Sequence, residues 1–411
     1  MRYLTSQPLI SSVVEEFNLA THLFDSTGGP DRTVLRGVVS AGGGDPSGGD
    51  GYDLAPDERG RSANDLAART FEAFLPGYQT LDHAGYAERR ATATYRGRPV
   101  TDWSIAEVFS SVLSPEGHRF VVDAFGYDSG VRAFNAADLI EFLFSGGDPT
   151  EEARTPDEGM DRIPQALGSA FEAAGGTLHL RAELESFEPE PDGVALQFAS
   201  GEVVHAARLV LAVPVPALRL LATTSASLRA EVFSHVVDSV EPFPAMKLYL
   251  SYPEPWWRPA VTGLRTVTDL PNRKIFYFDG RAGEGSVLLG MYTDGRDVEH
   301  WLPLAEGASR GAPAPAAMLT ELARVLRAVH PGVTELSEPL ETALMSWGSD
   351  SHETGWHFWR SRFVSDEVLR VAPHPDPSLP IYLANEAFSR RQSWVEGALE
   401  AAEAVVQLIV S

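Results

Sequence analysis

Lys247 lies in the run Ala245-Met246-Lys247-Leu248-Tyr249-Leu250, where almost every neighbour is apolar. Burying an unpaired ammonium is costly, so a lysine in such a strand is paired, hydrated or functional. A solvent-facing lysine on an edge strand is the plain alternative. With Lys274 it is one of only two lysines among 33 basic residues, the rest being arginine. Glu386 follows a short apolar strand and can accept hydrogen bonds from hydroxyl groups. Trp394 and Val395 open the last helix, where backbone N–H groups have no partner within the helix. Trp347, Trp356 and Trp394 can wall an apolar pocket, although most tryptophans are core, and Trp359 is read as core. His352 and His357 hint at a metal, but their five-residue spacing suits no common helical pair, so no metal is expected.

Several elements must place these groups. Ser6-Gln7-Pro8 caps a helix carrying Leu9, Val13, Val14 and Phe17 on one face. Residues 33–39 read as one strand, and 41–60 as a Gly/Asp/Pro-rich loop. From 62 to 146 the pattern is helical, with segments at 66–74, 105–113 and 136–144. After a polar joint at 147–158, a helix over 160–174 is closed by Gly175-Gly176. Strands at 177–180, 184–188 and 194–198 follow, with turns at Asp192-Gly193 and Ser200-Gly201. Residues 208–213 read as a short strand, apolar from Leu209 on, of the kind found inside a parallel sheet. A second β-rich block contains 246–252, 274–278 and 287–291. It leads to a helix at 318–329, a strand at 381–384 and an amphipathic helix at 394–409.

The chain's 411 residues make two or three domains at roughly 100–200 residues each. Its formal charge is −24 and it has no cysteine. That excludes disulfide scaffolds, thiol nucleophiles, cysteine-based metal sites and a cysteinyl thioether to a cofactor. Nucleic acid and anionic lipid are poor partners for so acidic a chain. The most apolar run, 209–221, is broken by Pro214, Pro216 and Arg219, short of the ~20 residues a spanning helix needs. A cytoplasmic chain without membrane contact is expected.

Four motifs stand in a characteristic order. They are Gly159-Met160-Asp161-Arg162-Ile163-Pro164, Leu211-Ala212-Val213-Pro214-Val215-Pro216, Leu383-Ala384-Asn385-Glu386, and Trp394-Val395-Glu396-Gly397. Their order and spacing resemble the FAD-dependent amine oxidases, most closely bacterial L-amino-acid oxidases. The resemblance implies non-covalent FAD and oxidative deamination of an L-amino acid by O2. Lys247 then holds a water near the flavin and assists reoxidation, as an amine can and a guanidinium cannot. Arg2, in Met1-Arg2-Tyr3, forks onto the substrate carboxylate. Tyr292 donates to the same group and Ser393 adds a backbone contact. Trp356 and Trp394 shape the substrate pocket. Leu184, Trp347, Glu386, Trp394 and Val395 contact the cofactor, Glu386 through ribityl or ribose hydroxyls and Val395 through its N–H at the pyrimidine edge.

The resemblance implies a mixed α/β fold: an FAD domain built from discontinuous segments, a mixed-sheet substrate domain and a helical insertion. The expected parts are 1–60, a remnant of the FAD and substrate domains; 61–150, helical; 155–240, FAD-domain strands; 241–345, substrate-binding; and 346–411, FAD-domain again. Members of the family normally begin with a Gly-x-Gly-x-x-Gly turn in a ~30-residue βαβ unit. This sequence has no such motif, and Gly42-Gly43-Gly44-Asp45-Pro46-Ser47-Gly48-Gly49-Asp50 has the wrong spacing, includes a proline and carries two carboxylates that repel phosphate. The unit is therefore expected upstream of Met1 or on a small separate subunit, the alternative being an FAD-free homologue or ligand-binding subunit. Self-association is expected as well.

Overall fold

The computed structural model describes residues 2–24, 32–41, 49–144, 152–280, 285–308, 310–348 and 350–411. Residues 42–48 of the glycine-rich loop and 147–151 of the polar joint lie outside the described residues. The chain divides into two units. The first comprises Met1–Phe24, Phe142–Pro242 and His357–Ser411, and the second Asp25–Glu141 and Phe243–Trp356.

The second unit is built on a seven-stranded sheet. Its order is Glu341–Trp347, Ala245–Tyr252, Ser286–Asp294, Lys274–Phe278, Arg265–Thr268, Arg32–Leu35, Val38–Ala41. All neighbours are antiparallel except Arg265–Thr268 beside Arg32–Leu35. Alternation sorts the side chains. Met246, Leu248, Ile275, Leu288 and Met291 join one core with Met318, Leu322, Val325 and Val329 of the helix Ala316–Val329. That leaves Lys247, Lys274 and Tyr292 on the opposite face of their strands. The expected single strand at 33–39 is a hairpin. Arg36 and Gly37 both have positive φ, 48° and 78°, the geometry of a two-residue turn that reverses the chain.

Helices Ala63–Phe74, His83–Thr92, Ile105–Val112 and Pro115–Phe125 complete this unit, as the helical pattern predicts. Ser62 with Asp65, and Ser104 with Glu107, form capping boxes that satisfy the first-turn N–H groups. Arg90, fully buried, is paired with Asp138 and Glu141 of the helix Ala136–Phe144.

The first unit holds smaller sheets. Tyr3–Leu4 and Thr21–Leu23 flank Ala153–Pro156, and Leu184–Glu190, Gly193–Phe198 and Val203–Ala206 form an antiparallel meander. Residues 177–180, expected as a strand, pair with nothing among the described residues, and Leu178 and Leu180 are exposed. An unpaired extended segment has no ladder to hold it. Leu209–Leu211 pairs in parallel with Ile381–Leu383 as expected. Among the described residues this sheet has only these two strands, however, and Val210 is 41% exposed rather than enclosed. Among the described residues, all exposed large apolar side chains except Val39, Val287 and Leu340 belong to this unit.

The helix Pro8–Glu16 gets no cap from its own N-cap residue, Gln7. Glu396, 1% exposed in the helix Val395–Val410, instead accepts the N–H groups of Leu9 at 3.0 Å and Ile10 at 2.8 Å. No helix among the described residues is long and apolar enough to cross a membrane.

Candidate active site

In the second unit, Lys247, Tyr292 and Lys274 form one row across three strands. Tyr292 is the cross-strand partner of both lysines, and directly opposed residues share a face. The Lys247 Nζ lies 4.3 Å from the Tyr292 ring centroid and 5.3 Å from that of Trp347. It has no hydrogen-bond or ion-pair partner among the described residues, and the residue is 6% exposed. Burial alone pushes its pKa down to about 8. Ala245–Tyr252 lies between two neighbouring strands, so Lys247 is not a solvent-facing lysine on an edge strand.

The aromatic wall continues through Tyr127, whose ring meets Tyr292 edge-on at 5.4 Å and Trp356 at 5.6 Å. The Lys274 Nζ sits 3.3 Å from the Tyr127 centroid. Gly126, at φ 73°, ends the helix Pro115–Phe125 and makes this approach possible, since a Cβ there would lie 2.6 Å from Lys274 Cε. Burial, helped by the neighbouring Tyr127 phenol, raises the Tyr292 pKa well above its ordinary value. Tyr292 therefore stays a proton donor. Trp356 is fixed by its edge: its Nε1–H donates to Ser129 Oγ at 2.9 Å, and that hydroxyl bonds to Asp294. Asp294, fully buried, also accepts the N–H groups of Asp128 at 2.8 Å and Ser129 at 2.9 Å. Burial raises its pKa, opposed by these donors.

In the first unit, Glu386 opens the turn Glu386–Phe388, directly after Ile381–Leu383. Asn385 caps this turn by accepting the Ala387 N–H at 2.8 Å, and its amide also donates to the Val213 carbonyl. Buried Gln392 ties the following loop down, donating to Ala387 O at 2.6 Å and accepting the Trp359 N–H at 3.0 Å. Glu386 accepts from His357 Nδ1 at 2.7 Å on Oε1 and from the Ser393 N–H at 3.3 Å on Oε2. Ser393, at φ 64°, therefore turns the backbone N–H expected to meet a substrate carboxylate towards Glu386.

Trp394 is the N-cap of Val395–Val410 and supplies no side-chain bond, so the Val395 N–H has no acceptor among the described residues. Gly397 lets this first turn approach the loop, since a Cβ would lie 2.4 Å from Arg391 O. Arg2 places its guanidinium 5.3 Å from the Phe24 centroid, and Leu184 begins the meander opposite Phe198. Of the two histidines considered for a metal, His352 bonds Asp350 at 2.7 Å and His357 bonds Glu386.

The expected residues thus fall into two sets: Lys247, Tyr292, Trp347 and Trp356 in the second unit, and Arg2, Leu184, Glu386, Ser393, Trp394 and Val395 in the first. Sequence reasoning missed Tyr127, Ser129, Asp294, Gln392 and the capping role of Glu396. Apart from Glu396 at a helix start, none carries a local pattern.

The second unit thus carries a buried amine against aromatic rings, and the first a carboxylate near a helix start whose first N–H has no acceptor among the described residues. The model of the flavin-containing amine oxidoreductases matches residues 1–410, and the chain belongs to that family. Its cofactor is FAD. It is 24% identical to aplysianin-A of Aplysia kurodai over 99% of this chain and 80% of that protein. Achacin of Lissachatina fulica is also 24% identical, over 99% and 82%. The flavin-dependent L-tryptophan oxidase RebO of Lentzea aerocolonigenes is 27% identical over 61% of this chain and 51% of that protein. Wild-type putrescine oxidase bound to putrescine shares the fold, with a TM-score of 0.70 at 14% identity over 100% of this chain and 87% of that one.

In the first unit Glu386 keeps lone pairs beyond those that accept from His357 and Ser393, and the Val395 N–H has no acceptor among the described residues, groups of the kind that meet hydroxyls and a carbonyl oxygen of a flavin nucleotide. In the second unit Lys247 is a buried amine without a hydrogen-bond or ion-pair partner among the described residues.

Proposed function

We propose that this flavin oxidase deaminates an L-amino acid: amino acid, water and O2 yield the 2-oxo acid, ammonia and H2O2. Bound FAD supplies the two-electron acceptor for the C–N bond and passes those electrons to O2. Lys247 carries the reading, because a buried amine with no hydrogen-bond or ion-pair partner among the described residues and a pKa of about 8 can hold a water and exchange a proton at Nζ. Arg2 and Tyr292 take the substrate carboxylate, the guanidinium as a fork and the phenol as a donor that does not ionise. Trp347, Trp356 and Trp394 exclude water, which favours the neutral amine. Glu386 takes the ribityl or ribose hydroxyls, with Ser393 holding its second oxygen. The Val395 N–H faces the pyrimidine edge, and Leu184 lies against adenine.

Self-association, a cytoplasmic location and a small subunit carrying the βαβ unit complete the proposal. The exposed apolar side chains of the first unit support a covering partner, whose presence light scattering of the purified protein would measure. The central test supplies FAD and assays H2O2 and ammonia with L-amino acids, D-amino acids and simple diamines. Equimolar products from an L-amino acid alone support the reading. Turnover of diamines in preference overturns the amino-acid assignment.

A further inference from the structure

His357 is 2% exposed, and both of its ring nitrogens are engaged. On one side, the Val215 N–H points at Nε2 from 3.3 Å. Val215 is the first residue of the helix Val215–Thr224, whose N-cap, Pro214, offers no side-chain acceptor. A backbone N–H can only donate, so Nε2 must carry the lone pair. In a neutral imidazole the proton then resides on Nδ1, and that nitrogen lies 2.7 Å from Glu386 Oε1. The direction of each bond follows from the first. Three separate segments meet at this ring: the helix after Leu209–Leu211, the strand Trp356–Trp359, and the turn after Ile381–Leu383.

We infer that His357 is a positioning residue, a buried imidazole that anchors Glu386 Oε1 against the start of the helix Val215–Thr224 and so aims that carboxylate at its ligand. The inference rests on the proposal that Glu386 takes cofactor hydroxyls. With Oε1 held by His357 and Oε2 by the Ser393 N–H, the carboxylate cannot rotate without losing a bond, and its remaining lone pairs keep fixed directions. Preorganisation of this kind appears in the affinity for the group held. A side chain of similar bulk without donors frees the carboxylate and strands the Val215 N–H.

The test uses the full chain and two variants, His357→Phe and His357→Asn. Asparagine can place its amide near the Nδ1 position and restore the donor to Glu386. Imidazole nitrogen NMR of the full chain reads the tautomer without any cofactor. FAD titration, followed by quenching of flavin fluorescence, reads the affinity. Expected are an Nδ1–H tautomer, FAD binding weakened about 10- to 100-fold in His357→Phe, and recovery of most of that loss in His357→Asn. An Nε2–H tautomer overturns the inference whether or not FAD binds. So does a folded His357→Phe variant that binds FAD like the parent, or an asparagine variant no better than phenylalanine. Failure of the parent chain to bind FAD counts against the flavin reading, while the tautomer still decides the His357–Glu386 pair.

Discussion

Lys247 stands directly opposite Tyr292 on the neighbouring strand, with its Nζ 4.3 Å from the centre of that ring. The ring face attracts the cation, yet no carboxylate among the described residues completes the pairing. The amine is therefore held at a cost to the fold, and that cost has a sign. Its pKa falls from 10.5 to about 8 on folding. Between those values the unfolded chain binds more protons, so stability rises with pH through this window and the penalty is full below it. At about 1.4 kcal/mol per unit, the penalty at neutral pH is on the order of 3 kcal/mol.

Replacing Lys247 with methionine should accordingly stabilise the protein at pH 7 and flatten its stability profile between pH 8 and 10.5, as read by urea denaturation. The same variant should slow the reaction with O2 by a factor on the order of 10² while largely sparing substrate oxidation. Stopped-flow measurement of the two half-reactions separates these effects. Equal slowing of both would remove Lys247 from the oxygen step.

Tyr292→Phe keeps the ring that faces Lys247 and Tyr127 but removes the phenol. Losing a hydrogen bond to a charged ligand group predicts a KM for the amino acid about 10- to 100-fold higher. Steady-state kinetics should show the rise with little change in melting temperature.

Ser129→Ala removes the link between the Trp356 indole and buried Asp294. Two groups lose a partner, which predicts a loss of about 1–3 kcal/mol in stability and a changed tryptophan emission spectrum. An unchanged spectrum with unchanged stability would show that the indole is positioned by packing alone.

Glu396→Gln should weaken the attachment of the helix Pro8–Glu16. A charge-assisted cap on two backbone N–H groups becomes a neutral one, at a cost of about 1–3 kcal/mol in urea denaturation. Hydrogen exchange at Leu9 and Ile10 should accelerate first.

The elements legible in the sequence are those whose signal is local. Lys274–Phe278 and the helices Ala63–Phe74 and Ile105–Val112, expected at 66–74 and 105–113, follow from short apolar runs and apolar spacing within a few turns. Lys247 was legible because an ammonium breaks an apolar run. The hairpin at Arg36-Gly37 was not, because arginine carries no preference for the positive φ it adopts. Glu396 and His357 were opaque for another reason. Their partners lie 386 and 142 residues away, so an ordinary first-turn acid and an ordinary histidine acquire their roles only when the chain closes.

Both lysines of this protein are 6% exposed, so every other side-chain cation at its surface is a guanidinium or an imidazole. The outer surface consequently offers no ε-amine to carbonyl compounds or acylating reagents. A 2-oxo acid in bulk solution finds no surface lysine with which to form an imine. Labelling of Lys247 or Lys274 by a reagent too large for the pocket must wait for the sheet around Tyr292 to open, so the rate of that labelling is a clock for local unfolding there.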